Sequence, residues 1–191
     1  MKPVEASDIL DLTSYEKIRP EYLARMIESK RARRIHVGEI LCFLFENRDT
    51  VIFQIQEMTR VERTVSEEGI AAEVAVYNEL IPRDDELSAT LMIEIPNQQS
   101  IRPQLDRLIG IDEHVHLDIG GESVGAAFDD KQFEEDRVSA VQYVRFPLGA
   151  ELAAKFRDPS VPVELRVDHP NYAGKTAIEG EARASLAADL A

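Results

Sequence analysis

Apolar residues recur along this chain at two spacings, and the switch between them divides it. Up to about position 82 the spacing is mainly helical. Ser7 can cap a first short turn at Ser7–Leu10, and a longer helix is predicted over about Ser14–Arg33. Pro20 should break or restart that helix, and Leu23, Met26 and Ile27 form its apolar stripe. A helix over about Val51–Ser66, capped by Asp49 or Thr50, would bury Val51, Ile55, Met58 and Val65, with Gly69 as its stop. A second helix follows to about Leu80, with Ile70, Val74, Tyr77 and Ile81 on one face and Pro82 at its end. These two helices read as an αα-hairpin. Arg34–Glu46 differs: Ile35, Val37, Ile40, Leu41, Phe43, Leu44 and Phe45 are β-formers, and Gly38-Glu39 offers a bend, so two short strands or one bent hairpin are predicted. Cys42 lies in this apolar run and reads as a small core residue.

After Pro82 the pattern repeats. Ser88–Pro96 reads as a strand, followed by a helix near Gln98–Ile109 and a strand His114–Ile119. Ser139–Pro147 likewise precedes a helix near Ala150–Arg157 and a strand Val161–Asp168, with Ser88 and Ser139 separated by 51 positions. Gly120-Gly121 marks a two-residue hairpin turn after the first unit, because a type I′ turn needs positive φ twice. The expected fold class is therefore α+β. N-terminal helices and an αα-hairpin (1–82, with a short strand hairpin) would pack on a mainly antiparallel sheet. A duplicated βαβ unit (88–168) would approach a ferredoxin-like split βαβ. The acidic stretch Asp129–Asp136 would link the units, 1–170 would form one domain, and 172–191, rich in Ala, Glu and Gly, would be a flexible or helical tail.

Composition narrows the setting. A chain of 191 residues with 44% hydrophobic residues can bury one substantial core. No run of 18 or more apolar residues would span a membrane, and the first residues lack the apolar stretch of a signal peptide. Cys42 has no intramolecular partner, so the expected compartment is the cytoplasm. A net charge of −14 repels nucleic acid and anionic lipid. The basic run Lys30–Arg34 is the local exception; it reads as a phosphate contact or, preferably, as a cationic last turn complementing the helix dipole.

Phosphate-binding loops, Cys-x-x-Cys pairs and a serine nucleophile elbow are missing from the sequence. Three groups remain. His114, His116 and Asp118 share one face of a strand and offer borderline metal ligands, although a same-face step of about 7 Å is wide for one ion. Gln54, Gln56, Glu57, Arg60 and Glu62 lie on the predicted helix Val51–Ser66, where the plain alternative is a solvated face. His169 and Tyr172 sit at a strand end, where Pro170 holds His169 extended.

Several of these segments carry a resemblance. Tyr22–Asn47, Gln54-Ile55-Gln56-Glu57-Met58, Arg60, Glu62, Tyr77-Asn78, Leu80-Ile81-Pro82 and Asp168–Tyr172 resemble the bacterial family known as domain of unknown function 3501. The likeness spans nearly the whole chain. It departs at Glu79, where the family pattern has a proline and glutamate favours continuing the helix. The resemblance implies no reaction and no cofactor. By gene association it implies an accessory role in redox or peroxide defence, with rubrerythrin or an iron–sulfur oxidoreductase as partner. The competing expectation is a metal-dependent enzyme or metal-binding protein using Glu57 and Glu62 with His36 or His169.

Overall fold

The computed structural model describes residues 1–129 and 137–190. Its first helix, α1 (Leu12–Arg31), is capped by Asp11, whose side chain accepts from Ser14 N at 3.0 Å; Ser7 instead lies in a 3-10 turn, Ala6–Asp8. Contrary to expectation, α1 runs through Pro20 unbroken. A helix-interior proline costs about 3 kcal/mol. Anchors on both sides of it offset that cost. Tyr15 and Arg19 bond Glu57, Tyr22 meets Phe53 edge-on at 5.8 Å, and Met26 is buried. Tyr15, Arg19, Tyr22 and Met26 are thus the inward stripe, while Ile27, expected inside, is exposed.

The hairpin after α1 forms as predicted. Strand β1 (Arg34–Val37) turns at Gly38, φ +63°, into β2 (Leu41–Phe45). Helix α2 (Arg48–Glu62) starts one turn earlier than the predicted caps allow. Asn47 is its cap and Thr50 the reciprocal partner, each side chain accepting the other's backbone N–H. It ends at Arg63, φ +55°, so Val65 is exposed in the connection and Gly69 falls inside α3 (Glu67–Tyr77), which Ser66 caps. Ile70, Val74, Tyr77 and Ile81 pack together as their spacing requires, with Val51, Ile55 and Tyr143. At Glu79 the chain leaves the α-helix for a 3-10 turn, Asn78–Leu80.

The rest builds two antiparallel sheets. The first has the order β1-β2-β3-β7-β6, with β3 Glu86–Ile93, β6 Ala127–Phe128 and β7 Val141–Pro147. The second is β5-β4-β8-β9, with β4 Val115–Ile119, β5 Glu122–Gly125, β8 Val163–His169 and β9 Tyr172–Ala177. Each predicted βαβ unit crosses between the sheets: β3 reaches β4 through α4 (Ile101–Asp106), and β7 reaches β8 through α5 (Gly149–Arg157). Among the described residues, the strands of the two units therefore lie in two sheets, not in the single sheet of a ferredoxin-like arrangement. The ladder registers obey an approximate two-fold between the units. A step of 51 maps the pair Thr90–Tyr143 onto Val141–Met92, and a step of 50 maps Leu117–Leu165 onto Val167–Val115. Gly120 and Gly121, φ +58° and +90°, make the expected two-residue turn.

The inward faces of both sheets share one core, including Phe43, Phe45, Leu91, Leu117, Phe146, Phe156 and Leu165. The helical layer covers part of the outer face of the first sheet, where Tyr143 joins its cluster and Ser88 Oγ donates to Leu80 O. The expected tail is helical in its second part, as one of its two alternatives had it, but strand in its first, and both parts pack into the fold. Its first part is β9, paired with β8, and its second is α6 (Gly180–Asp189), which buries Leu186 and Arg183. Arg183 donates to the carbonyl of Phe156 in the last turn of α5 and to those of Asp158 and Val161 beyond its end, and Arg33 forms a buried ion pair with Asp189. Of the basic run Lys30–Arg34, Arg33 is therefore structural. Asp129 is described; the remainder of the expected acidic link, 130–136, lies outside the described residues. Among the described residues, no helix is long and apolar enough to cross a membrane.

Candidate functional site

The α2 residues face the N-terminal segment and α1. Gln56 is buried; its Oε1 accepts from Leu10 N and its Nε2 donates to Leu10 O, both at 2.9 Å. Glu57 Oε1 accepts from Tyr15 Oη at 2.6 Å and Arg19 Nε at 2.8 Å, while Oε2 accepts from Arg19 Nη2 at 2.8 Å. Arg60 adds a longer contact to Glu57 and reaches Glu16 at 3.6 Å. This bidentate pairing holds the Glu57 carboxyl down to about 2, the Arg19 hydrogen bond being the largest cause. Burial, and then the Glu57 carboxylate, push the Tyr15 hydroxyl well above its ordinary range. Gln54 is half-buried beside Tyr77, and Glu62 is exposed in the last turn. Chemically this is a clamp between two helices, with the carboxylate's charge already matched.

His114, His116 and Asp118 line the outer face and one end of the second sheet, but the carboxylate both imidazoles meet is Asp168. His114 Nδ1 lies 3.0 Å and His116 Nε2 3.4 Å from Asp168 Oδ1. Asp118 instead accepts from Arg166 Nε at 2.6 Å, and Arg166 also pairs with Asp168. The guanidinium thus occupies the cationic position between the two aspartates; its hydrogen bond is the main cause that lowers Asp118, while Asp168 is lowered first by the hydrogen bond from His114 and then by Arg166. Cross-strand register explains the partner exchange: His116 stands opposite Arg166 and Asp118 opposite Glu164, putting Asp168 and Arg166 within reach of side chains that are two residues apart on β4.

His169 and Tyr172, on either side of the β8–β9 turn, point to different neighbours. His169 is buried, with Nε2 3.0 Å from Ile109 O, Nδ1 accepting from Asn171 N at 3.2 Å, and its ring edge-on to His114 at 5.2 Å. Tyr172 Oη donates to Val37 O at 2.7 Å and accepts from Ile40 N at 3.2 Å, straddling the β1–β2 turn. It borders a cleft of about 340 Å³ with Gly38, Arg107 and Asn171. His169 belongs to the second sheet, whereas α2 packs with α1 and α3, so the residues grouped by sequence sit in separate layers. A larger cleft of about 980 Å³ opens between the α3 end and the first sheet, lined by Asn78, Pro82, Tyr143 and Arg145 among others.

One grouping escaped the sequence reading. His36 on β1 stands directly opposite Cys42 on β2. Glu94 follows the end of β3, its N–H donating to Ile40 O at 2.7 Å. The imidazole, thiol and carboxylate ligand atoms of these three residues lie within 4.8 Å of one another. Burial and the nearby Glu94 push the Cys42 thiol up, with Arg34 opposing. Half of this was legible. A hairpin turning at Gly38-Glu39 brings residues before and after the turn face to face, but Glu94 arrives only through the β2–β3 ladder.

A search of curated proteins found no match. The profile of the family described as a protein of unknown function, DUF3501, matches residues 3–190. A crystal structure of a protein of unknown function from Burkholderia pseudomallei K96243 superposes with a TM-score of 0.93 at 36% identity, covering 100% of both chains. The chain belongs to the DUF3501 family.

Proposed function

We propose that this chain is a non-catalytic accessory protein of a redox or peroxide-defence system, acting by binding a partner. What carries the reading is the use made of Gln56 and Glu57. Their polar atoms hold the N-terminal segment and α1 to α2, which makes the helical layer a rigid platform. That platform leaves Ile18, Val61, Val65 and Val76 exposed, side chains that contribute to contact surfaces when a partner covers them. The partner class is the one the resemblance implies, rubrerythrin or an iron–sulfur oxidoreductase.

A competing reading is a metal-dependent enzyme using Glu57 and Glu62 with His36 or His169. To ligate an ion, Glu57 would have to give up a bidentate arginine, which disfavours it as a ligand. Affinity capture of the tagged chain from a native lysate, followed by mass spectrometry, tests the proposal. Enrichment of a redox protein, lost when Val61 and Val65 are changed to aspartate, is expected. Recovery of no redox protein under native and cross-linked conditions overturns the proposal.

A further inference from the structure

We propose that His36, Cys42 and Glu94 form a binding site for a divalent transition metal of borderline softness, such as Zn²⁺, with a fourth position open to solvent. The donor set is one imidazole nitrogen, one thiolate and one carboxylate, a combination that suits such ions and poorly suits Mg²⁺ or Ca²⁺. Metal bonds of about 2.0–2.3 Å set tetrahedral ligands roughly 3.3–3.8 Å apart. The donors here lie within 4.8 Å of one another, so closure needs a contraction of at most about 1.5 Å. His36 and Glu94 are exposed and free to turn, while Cys42, 1% exposed, is the fixed member.

The backbone around them is tied down. His36 and Cys42 are cross-strand partners in a short hairpin, and the β2–β3 ladder extends to Glu94 N and Ile40 O. Tyr172 bonds both sides of the hairpin turn, to Val37 O and Ile40 N, and Thr176 Oγ1 donates to His36 O. Ligands held by packed strands need little reorganisation on binding. Tyr172 is thus a positioning residue for this site, and that use of it was not evident from its place at a strand end. Three protein ligands and a solvent-facing position are the pattern of sites that bind a further ligand, whereas closed structural sites use four. On binding, the Cys42 thiol proton leaves to solvent and the sulfur bonds the metal. The inference stands independently of any redox partner.

The test uses the full chain freed of metal by chelator and dialysis, titrated with Co²⁺ and then competed with Zn²⁺. Expected is one equivalent of Co²⁺ with a thiolate-to-cobalt charge-transfer band and the intense visible bands of tetrahedral geometry, all removed by Zn²⁺. His36→Ala and Glu94→Gln, both at exposed positions, should retain the fold by circular dichroism and lose the tetrahedral spectrum. Cys42→Ser should lose the charge-transfer band. Tyr172→Phe should weaken Zn²⁺ binding by about tenfold while leaving the spectrum's shape unchanged. Absence of the charge-transfer band in the wild-type chain, or a spectrum unchanged by His36→Ala and Glu94→Gln in folded protein, overturns the proposal.

Discussion

Replacing Glu57 with glutamine keeps the side chain's shape and removes the charge on which Arg19 and Tyr15 converge. The folded chain holds this carboxyl at about 2 against an ordinary value of 4.5. At about 1.4 kcal/mol per tenfold, that difference bounds the carboxylate's contribution at about 3–4 kcal/mol at neutral pH. With the Glu57 side chain 19% exposed, solvent screening reduces the expectation to about 2 kcal/mol. Because the folded-state value is depressed, the stabilisation is complete above 4.5 and drains away as pH falls toward 2. Glu57→Gln should therefore be about 2 kcal/mol less stable than wild type at pH 7, and less than about 1 kcal/mol at pH 3. Urea melts followed by circular dichroism at both pH values measure this directly. In thermal melts at pH 7 the same loss lowers Tm by about 4–8 °C for a chain of this size. A deficit of equal size at both pH values would assign the loss to packing rather than charge. A deficit below about 0.5 kcal/mol at pH 7 would refute the clamp altogether.

Two further perturbations probe other parts of the fold. Gly38→Ala should cost about 2 kcal/mol or more, because φ is +63° and the new Cβ would lie 2.3 Å from Tyr172 Oη; an unchanged urea midpoint would contradict that contact. Asp189→Ala should destabilise by about 3 kcal/mol, since it leaves the Arg33 guanidinium, 1% exposed, without its counter-charge. Thermal melts check this, and a loss under about 1 kcal/mol would mean that the backbone carbonyls and Ser185 alone satisfy Arg33.

Local pattern determined much of the architecture. The α3 stripe Ile70, Val74, Tyr77 and Ile81, the Gly120-Gly121 turn, the β1–β2 bend and the two strand–helix–strand units are all present, because each follows from spacing or φ preference over a few residues. Element ends were less legible. Asn47 capped α2 and Ser66 capped α3, while Arg63 took the positive φ expected of Gly69, since several residues can satisfy the same terminal groups and local preferences differ by little. Pro20 does not break α1 because its local cost is outweighed by anchors from α2, a helix whose first residue lies 28 positions downstream.

The site was harder still. Side-chain spacing along β4 suggested Asp118 as the partner of His114 and His116, but the antiparallel register with β8 supplied Asp168 to the imidazoles and gave Asp118 to Arg166. The tail became β9 and α6 because Ile178, Leu186 and Leu190 fill a core built by distant segments, which Ala-rich composition does not reveal. The burial of Cys42 follows from the apolar run around it, yet its approach to Glu94 depends on which strand pairs with β2. Short-range periodicity and turn chemistry are written in neighbouring residues. Ligand sets and ion pairs depend on strand order and register, which are settled only when the two sheets close on one core.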